Sequence, residues 1–451
     1  MSNIFKAYDV RGIYPDEINK ENAYKIGLAT VKFLQLKNPN KKLNLVVGED
    51  ARLASPTLRG AVIDAFTKAG ANVYYIGQCT TPLFYFSVNK LKADGGIMAT
   101  ASHNPPQYGG LKIVGFGSSP IGAESGLKEI EKISQDNLEQ AKELGKVQEA
   151  NLSGDYANFV IEKSKASSGL GKLRIVVDAG NGMTPLVLKP LFEKLAIKPD
   201  LLYFGIDCSF PNHSPDISRA EALVDLKKRV IDVRADLGIA FDGDGDRIMF
   251  VDEKGEIARA EYILALLFNA SSSFLGKPKT VYDLRISRSV KELIGLRGIK
   301  SRPGHSFMKQ VMKANNANIG GELSGHFFFK EMKYVESSVL VMLKILKIIS
   351  DSGKSLSELV KPFQKYCHSG EINIPIENRE RGVGIIENLI EKYKDGKIDE
   401  LDGVTVEYQD WWFNIRLSNT EPVVRLVIEA DTKDLMDQKV KELTEEIKTA
   451  I

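Results

Sequence analysis

Short apolar runs alternate along this chain with longer stretches in which apolar residues recur every three or four positions. The segment 42–77 begins with the run "LNLVV", continues with a polar turn and a helical pattern, and ends in "NVYYIG". This order predicts a buried strand, a helix and a second strand, which together form a β-α-β unit. The segment 172–205 has the same pattern, and the segment 277–303 is a plausible third copy. Divergent copies of one α/β unit are the economical interpretation, although any α/β protein alternates in this way.

The segments outside these copies suggest where the domains divide. Residues 125–150 are polar with a narrow apolar stripe, which predicts a helix and a boundary near residue 150. From about residue 370 the pattern changes to a helix, three strands and a last helix, and the strand connections are too short for parallel crossovers. We therefore expect an antiparallel final domain. The predicted division is 1–150, 151–255, 256–368 and 369–451.

Composition narrows the functional classes. The chain has 451 residues, 43% of them apolar and 27% charged, as in ordinary globular proteins. A net charge of +2 without a basic block gives no indication of nucleic-acid binding. The N-terminus has no apolar signal region, and no long apolar run predicts a membrane span. Three widely spaced cysteines fit a reducing compartment, so we expect a cytoplasmic protein. We expect it to be either a monomer or a homodimer.

The loop "TASHNPPQYGG" at 100–110 follows an apolar run and carries a serine beside a histidine. Proline lacks a backbone N–H, and glycine adopts backbone angles that other residues avoid, so this segment is a loop. We expect the loop to hold Ser102 on a rigid turn. A serine hydroxyl needs a base or a cation before it acts as a nucleophile. Adjacent side chains in an extended loop point apart, so we expect His103 to face a substrate rather than to activate Ser102. The alternative is that Ser102 and Asn104 only bond to the local backbone.

The loop "DGDGDR" lies between two strand-like segments and predicts a metal site. Asp242, Asp244 and Asp246 are two residues apart, and carboxylates this close repel unless protons or a cation intervene. Hard oxygen donors suit Mg²⁺ or Ca²⁺. Arg247 stands where an EF-hand needs glycine, and the flanks are not helical, so a calcium loop of that type is disfavoured. Arginine beside a carboxylate-bound cation is typical of phosphoryl chemistry; a solvated acidic turn is the alternative.

Two further loops offer polar groups for a ligand. In "GELSGH", Glu322, Ser324 and His326 alternate and can share a face, where they would bond to sugar hydroxyls. The segment "RLSNTEPVVR" concentrates donors that suit a phosphate: Arg416, Ser418, Asn419, Thr420 and Arg425. Each loop taken alone also fits an ordinary polar turn.

Taken together and in this order, "TASHNPP", "DGDGDR", "GELSGH" and "RLSNTEP" resemble the α-D-phosphohexomutase family. The resemblance covers essentially the whole chain. Within the family, the pattern of motifs is most similar to that of bacterial and archaeal phosphomannomutase/phosphoglucomutase. It implies an α/β fold: three similar α/β domains with mixed sheets and a fourth, α+β domain related to the TATA-binding-protein fold, around a central cleft. It also implies a small phosphosugar as substrate, with no nucleic-acid or membrane partner.

The resemblance carries specific roles to the matching positions. Ser102 would be the phosphoserine, and Mg²⁺ would bind Asp242, Asp244, Asp246 and the phosphoserine. Further catalytic candidates are Arg11, His103, Lys112 and Arg247. The substrate-binding candidates are Tyr8, Arg285, His305, Glu322, Ser324, His326, Arg416, Ser418, Asn419, Thr420 and Arg425. The family often has lysine where Arg285 stands, and arginine keeps the charge without giving up its proton.

The implied reaction moves a phosphoryl group between the 1- and 6-positions of a hexose phosphate, through a hexose 1,6-bisphosphate that also acts as activator. Mannose and glucose phosphates both fit. A phosphoglucosamine mutase is an alternative within the family, although its loops usually read differently at Leu323 and at "SNT". A sugar-phosphate-binding protein without turnover and a hydrolytic phosphatase are alternatives from other classes.

Overall fold

In the part of the chain that the structure describes, four separate sheets follow one another, and each takes its strands from one continuous stretch of sequence. The computed structural model describes residues 4–39, 41–271, 276–418 and 422–450. None of the helices in these ranges has the length and apolar character needed to cross a lipid bilayer.

The first sheet has six strands in the order β1-β5-β4-β2-β3-β6. Strands β2, β3, β4 and β6 run parallel, whereas β5 is antiparallel to both of its neighbours. The strands are β1 (Val10–Ile13), β2 (Asn44–Glu49), β3 (Asn72–Gln78), β4 (Gly95–Ala99), β5 (Tyr108–Val114) and β6 (Val147–Glu149). The helices are α1 (Lys20–Lys37), α2 (Ser55–Lys68), α3 (Thr81–Lys90) and α4 (Lys128–Ile133).

The second sheet has five strands in the order β11-β10-β9-β7-β8 and is also mixed. Its strands are β7 (Ile175–Asp178), β8 (Asp200–Leu202), β9 (Leu237–Phe241), β10 (Ile248–Asp252) and β11 (Ile257–Ala258). Its helices are α5 (Ser153–Ser164), α6 (Pro185–Leu195) and α7 (Val224–Asp232). Every residue of β9 and β10 is buried, so these two strands hold their connecting turn firmly.

The third sheet has four strands in the order β13-β12-β14-β15, with β15 antiparallel. Its strands are β12 (Thr280–Asp283), β13 (Gly298–Ser301), β14 (Ile319–Gly321) and β15 (Phe327–Phe329). Its helices are α8 (Ala260–Ala270), α9 (Arg288–Ile294), α10 (His305–Ala314), α11 (Ser338–Ser352) and α12 (Leu356–Val360).

The last sheet is antiparallel throughout, in the order β16-β20-β19-β18-β17. Its strands are β16 (Cys367–Pro375), β17 (Lys397–Asp399), β18 (Val404–Glu407), β19 (Trp411–Leu417) and β20 (Val423–Ala430). Two helices belong to this part of the chain, α13 (Arg379–Lys392) and α14 (Lys433–Ala450). The predicted fold class, three mixed α/β units followed by an antiparallel α+β unit, is confirmed.

Each predicted β-α-β copy is present as strand, helix and parallel strand, namely β2-α2-β3, β7-α6-β8 and β12-α9-β13. One apolar cluster runs across all three α/β units and contains Phe84, Phe241 and Phe327. Because a close-packed interior transmits position from one unit to the next, this cluster fixes the loops of the three units relative to one another.

The polar segment 125–150 differs from its prediction as one helix. The helical part ends at Ile133, and the chain returns to the first sheet as β6. The backbone N–H groups of Ala141 and Gly145 donate to the carbonyls of Lys68 and Thr67 at the end of α2, with both distances 2.8 Å. These backbone bonds to α2 take the place of the helical bonds that the polar pattern suggested.

Arg52 anchors the loop that follows β4. Its side chain is fully buried, its Nε lies 3.2 Å from Asp50 Oδ2, and its guanidinium donates to the carbonyls of Ser102 (2.6 Å), Asn104 (2.7 Å) and Pro105 (2.8 Å). An irregular loop can hold one conformation when its carbonyls have fixed partners. Arg52 therefore supplies much of the rigidity that the sequence assigned to proline and glycine.

Replacing Arg52 by Met should destabilise the first unit, because Asp50 loses its buried partner and three carbonyls lose a donor. Removing one member of a buried ion pair typically costs about 3–5 kcal/mol. We expect the first thermal unfolding transition to fall and hydrogen exchange of amides 100–108 to accelerate. Arg229→Met is the matched control, because Arg229 pairs with Asp200 at the surface and such pairs contribute about 0–1 kcal/mol. Unchanged exchange in Arg52→Met would contradict the anchoring role.

Candidate active site

The chemistry-bearing loops of the three α/β units meet because each follows the carboxyl end of a parallel strand. These strands are β4, β9 and β14, and α/β proteins commonly bind ligands at such ends. Backbone hydrogen bonds connect the units here: Thr81 N–H, at the start of α3, donates to the carbonyl of Asp244 (2.9 Å), and Ile248 N–H donates to that of Gly325 (3.0 Å). The Ser338 hydroxyl also donates to the carbonyl of Gly245 (2.6 Å).

Ser102 is buried at the junction formed where these three loops meet, with 3% of its surface exposed. Its hydroxyl donates to Asp244 Oδ1 (2.8 Å), and its N–H donates to Thr100 Oγ1 (2.9 Å). Its φ of 52° is in the left-handed region, so the backbone here is not extended. The serine oxygen consequently points across the unit boundary at the acidic loop.

His103 differs from its prediction as a residue that points away from Ser102. Its Nδ1 lies 3.3 Å from Ser102 Oγ, because the left-handed turn at Ser102 brings the two neighbouring side chains to one side. Its Nε2 lies 3.3 Å from a guanidinium nitrogen of Arg247. Burial, and then the charge of Arg247, hold the pKa of His103 well below its usual range, so the ring is neutral.

Asp242, Asp244 and Asp246 are all buried, and each offers a carboxylate oxygen within 4.8 Å of the others. The positive φ of Gly245, 72°, allows the tight turn that brings them together. Burial and the two neighbouring carboxylates raise the pKa of Asp242 well above its usual value. Within the described ranges, Asp242 Oδ2 has no hydrogen-bond donor. A buried carboxylate oxygen without a donor fits a hard divalent cation, so this triad could hold a metal ion.

Lys112 supplies positive charge to the same group. Its Nζ lies 2.6 Å from Asp244 Oδ2 and 2.6 Å from Asp246 Oδ2. Burial alone would lower the pKa of Lys112, but the two carboxylates outweigh burial and raise it. Likewise, burial would raise the pKa of Asp246, but the Lys112 ammonium and His326 hold it well below its usual range. Lys112 therefore places a positive charge directly against the triad.

Arg247 and His326 connect the acidic loop to the "GELSGH" loop. The Arg247 N–H donates to Asp242 Oδ1 (3.0 Å), and its guanidinium lies 3.3 Å from Asp216 Oδ1. His326 lies between Asp246 Oδ1 (3.3 Å) and Glu322 Oε2 (3.2 Å). Burial would lower the pKa of His326, but Asp246 and Glu322 outweigh it and raise the pKa to about 9.

The predicted sugar-binding loop is assembled as its alternation suggested. Ser324 Oγ lies 2.9 Å from His326 Nδ1, and Glu322 Oε1 accepts from the N–H of Gly304. Gly304 directly precedes α10, so Glu322 brings His305 to the same part of the junction. The structure therefore places Glu322, Ser324, His326 and His305 together.

The N-terminal candidates also reach this junction. The Tyr8 hydroxyl donates to the carbonyl of Pro303 (3.3 Å), and its ring lies 5.4 Å from that of His305. Arg11 Nε donates to Asp9 Oδ1 (2.8 Å), and a second Arg11 nitrogen donates to Asn104 Oδ1. Burial would lower the pKa of Arg11, but Asp9 outweighs it and raises the pKa. Both residues thus contact loops of the junction.

The arginines predicted to bind phosphate converge on one carboxylate that the sequence did not indicate. Glu371 Oε1 lies 3.0 Å from Arg425, Glu371 Oε2 lies 3.1 Å from Arg416, and Arg285 contacts the same carboxylate. Arg425 also donates to Ser418 Oγ (3.2 Å). Burial would raise the pKa of Glu371, but the three arginines outweigh it and lower the pKa to about 2. Asn419 and Thr420 lie outside the described residues.

Sequence reasoning missed several residues because each acts through contacts between distant segments. The Thr81 hydroxyl donates to Asp244 Oδ2 (2.5 Å), Asp216 pairs with Arg247, and Glu371 meets the arginine cluster. A threonine before proline and a lone acidic residue are common surface features. The signal that identifies them is proximity, which a single sequence does not contain.

Comparison with protein families matches four domain models in order. These are the three α/β/α domains of phosphoglucomutase/phosphomannomutase, at residues 2–141, 154–255 and 259–366, and its C-terminal domain at residues 371–446.

Curated relatives align over nearly the whole chain. A phosphomannomutase of Methanocaldococcus jannaschii is 40% identical, over 98% of this chain and 96% of the relative. Phosphomannomutases of Vibrio cholerae and Escherichia coli K12 are 36% and 34% identical; the first alignment covers 98% of both chains and the second 94% of both.

Solved structures agree on the fold. A phosphoglucomutase/phosphomannomutase family protein of Burkholderia thailandensis superposes with a TM-score of 0.87 and 28% identity, over 100% of this chain and 98% of that one. An Aspergillus fumigatus N-acetylphosphoglucosamine mutase, solved with GlcNAc-6P and magnesium, has a TM-score of 0.64 over 99% of this chain and 96% of that one; at 14% identity it supports the fold alone. With four domain models matched in order and relatives of 34–40% identity aligned almost end to end, the chain belongs to the phosphoglucomutase/phosphomannomutase family, and the protein is a mutase, which is a type of isomerase.

Proposed function

We propose that this mutase moves a phosphoryl group reversibly between the 1- and 6-positions of mannose phosphate and/or glucose phosphate, through a phosphoserine at Ser102 and a hexose 1,6-bisphosphate. The observation that carries the proposal is the position of the Ser102 hydroxyl. It is buried, held 2.8 Å from Asp244, and lies beside the carboxylate triad and Lys112. The relatives named phosphomannomutase support the choice of substrate.

In the first half-reaction a sugar hydroxyl oxygen attacks the phosphorus of phosphorylated Ser102. The new P–O bond to the sugar forms as the bond to Ser102 Oγ breaks, the proton of the sugar hydroxyl passes to the departing serine oxygen, and the products are the 1,6-bisphosphate and unphosphorylated Ser102. In the second half-reaction the other phosphate of the bisphosphate passes to Ser102 and leaves the isomeric monophosphate. His103 Nδ1, 3.3 Å from Oγ, is placed to exchange a proton with the serine oxygen.

Charge neutralisation is the main demand of this chemistry, because negative charge spreads over the oxygens of the transferring group. Asp242, Asp244, Asp246 and a phosphoserine oxygen would hold Mg²⁺, which supplies Lewis-acid stabilisation of that charge when bound. The Lys112 ammonium and the Arg247 guanidinium add fixed positive charge on two sides of the triad.

The arginine cluster on the last sheet suits the phosphate that is not reacting. Arg285, Arg416 and Arg425 share the carboxylate of Glu371, which stays ionised at any physiological pH because its pKa is about 2, and Arg285 is also paired with Asp283. Guanidinium groups gathered in this way are the donors that suit a phosphate. Arg416 and Arg425 lie on strands of the last unit. Movement of that unit would open the arginine cluster between the half-reactions, so that the bisphosphate can turn round.

Replacing Ser102 by Ala should remove nearly all mutase turnover of mannose 1-phosphate and glucose 1-phosphate, because the transferred group loses its acceptor. Coupled assays measure turnover, and peptide mass mapping of the wild type should find phosphate on Ser102. Ser352→Ala, at an exposed position beyond this junction, is the control and should keep full activity. Full turnover by Ser102→Ala, or release of inorganic phosphate in place of isomerisation, would contradict the proposal. The same assay with glucosamine 1-phosphate tests the alternative substrate.

Chelation should stop turnover, and added Mg²⁺ should restore it, because the buried triad needs a divalent cation beside the phosphoryl group. Titration of Mg²⁺ into metal-free wild type and Asp244→Asn by calorimetry separates binding from catalysis. The variant should bind Mg²⁺ at least about tenfold more weakly, since carboxylate charge sets the affinity of such sites. Equal affinity in the two proteins, or undiminished turnover after exhaustive chelation, would place the metal elsewhere.

Arg425→Ala should weaken binding of hexose 1-phosphate and hexose 6-phosphate alike, since each presents its non-reacting phosphate to the same cluster. Loss of one charge-assisted contact costs about 1.5–3 kcal/mol, or about one to two decades in affinity. Calorimetric titration of both sugars measures the effect, and Arg379→Ala is a control at an exposed position of the same unit. A loss for one sugar phosphate only would show that the cluster binds a single orientation.

A further inference from the structure

A buried ion pair lies behind His305, outside the groups that the proposed chemistry uses. Lys309 and Glu336 are 4% and 1% exposed, and Lys309 Nζ lies 2.6 Å from Glu336 Oε2. Lys309 is one helical turn after His305 on α10, and its Nζ lies 3.4 Å from His305 Nδ1. The same ammonium lies 4.3 Å from the ring centre of Tyr85, on α3 of the first unit.

This geometry decides which nitrogen of His305 carries the proton. Burial lowers the pKa of Lys309, and the adjacent Glu336 carboxylate opposes that shift and favours the ammonium form. An ammonium has donors and no acceptor, so the nitrogen that faces it must accept. A neutral imidazole that accepts at Nδ1 has its single N–H at Nε2. Burial, and then the positive charge of Lys309, also hold the pKa of His305 well below its usual range, so the neutral form is the one present.

The other edge of the ring is available to a ligand. Across the described ranges 4–39, 41–271, 276–418 and 422–450, His305 Nε2 has no hydrogen-bond partner within the protein. The ring packs against Tyr8, and the adjoining Gly304 N–H is bound by Glu322. A donor at Nε2 therefore belongs to the junction where the proposed phosphosugar lies.

We propose that Glu336 and Lys309 are positioning residues that fix His305 as its Nε2–H tautomer, so that His305 donates a hydrogen bond to an oxygen of the phosphosugar and does not act as a base. Glu336 holds the Lys309 ammonium, the ammonium fixes the ring, and the ring presents one neutral donor. This inference rests on the proposed function only for the identity of the acceptor; the tautomer itself is a property of the free protein.

The arrangement has a chemical use in a site already crowded with charge. A neutral donor orients a sugar or phosphate oxygen without adding to the charges of Lys112, Arg247 and the carboxylate triad. A second orientation of the bisphosphate presents another oxygen to the same N–H. Tautomer control by the partner of the second ring nitrogen is a general way to define the role of a histidine.

The direct test is nitrogen NMR of protein labelled with ¹⁵N-histidine and free of substrate. In the wild type we expect His305, assigned by its disappearance in His305→Gln, to show a pyrrole-type Nε2 and a pyridine-type Nδ1. Lys309→Met, which keeps the unbranched stem of the side chain and removes its donor, should populate the other tautomer. Lys313→Met, at an exposed position of the same helix, should leave the spectrum unchanged. A wild-type His305 protonated at Nδ1, or a tautomer unaffected by Lys309→Met, would overturn the inference.

Kinetics separates tautomer control from simple packing. Lys309→Met should lower kcat/KM about three- to tenfold, the usual effect of one neutral hydrogen bond. A glutamine at 305 places its amide N–H near the position of Nε2 and needs no partner to orient a proton. In the His305→Gln background, Lys309→Met should therefore cost less than about twofold. An equal loss in both backgrounds would indicate a packing role and contradict the proposal.

The two proposals fail in distinguishable ways. Absence of mutase turnover in the wild type would count against the proposed function, whereas the NMR result would still decide the tautomer. If Lys309→Met does not fold, Glu336→Gln serves in its place, because it removes the counter-charge and should release Lys309 from His305. The wild-type spectrum needs no variant at all, and it alone can contradict the assignment.

Discussion

The candidate site and the contacts between the α/β units depend on how three buried carboxylates are neutralised. Asp242, Asp244 and Asp246 lie within a few ångströms of one another and are excluded from water, so they repel strongly unless cations face them. Lys112 comes from the first unit, Arg247 from the acidic loop, and His326 from the third unit. The positive groups that offset the repulsion among these carboxylates therefore connect the three α/β units. The same positive groups suit the transfer of a phosphoryl group.

A second balance operates on the last sheet. Three arginines share Glu371, which keeps them ordered. Arg285 belongs to the third unit and is fixed by Asp283, whereas Arg416 and Arg425 belong to the last. A phosphate that reaches this cluster must compete with Glu371 for donors. The carboxylate would thus moderate the affinity for a phosphate, as the proposed release and turning of a bisphosphate requires.

The sequence predicted those features that depend on residues close together along the chain. The β-α-β copies, the antiparallel last sheet and the acidic loop each follow from periodicity or spacing within a few residues, and the structure contains all of them. The segment after Ile133 was misread because its backbone bonds to α2, which its own pattern does not encode. His103 was misjudged because one left-handed residue, Ser102, changes the direction of its neighbour. Arg52, Glu371 and Lys309 act through partners far along the chain, so only the folded arrangement identifies them.

A single-turnover measurement tests the central claim most directly. Protein phosphorylated at Ser102 is mixed with an equimolar amount of mannose 6-phosphate or glucose 6-phosphate, and both the protein mass and the sugar products are followed in time. The account predicts that phosphate leaves Ser102 at the rate at which the 1,6-bisphosphate appears, before any 1-phosphate is released. Formation of 1-phosphate while Ser102 keeps its phosphate, or loss of that phosphate to water, would contradict it.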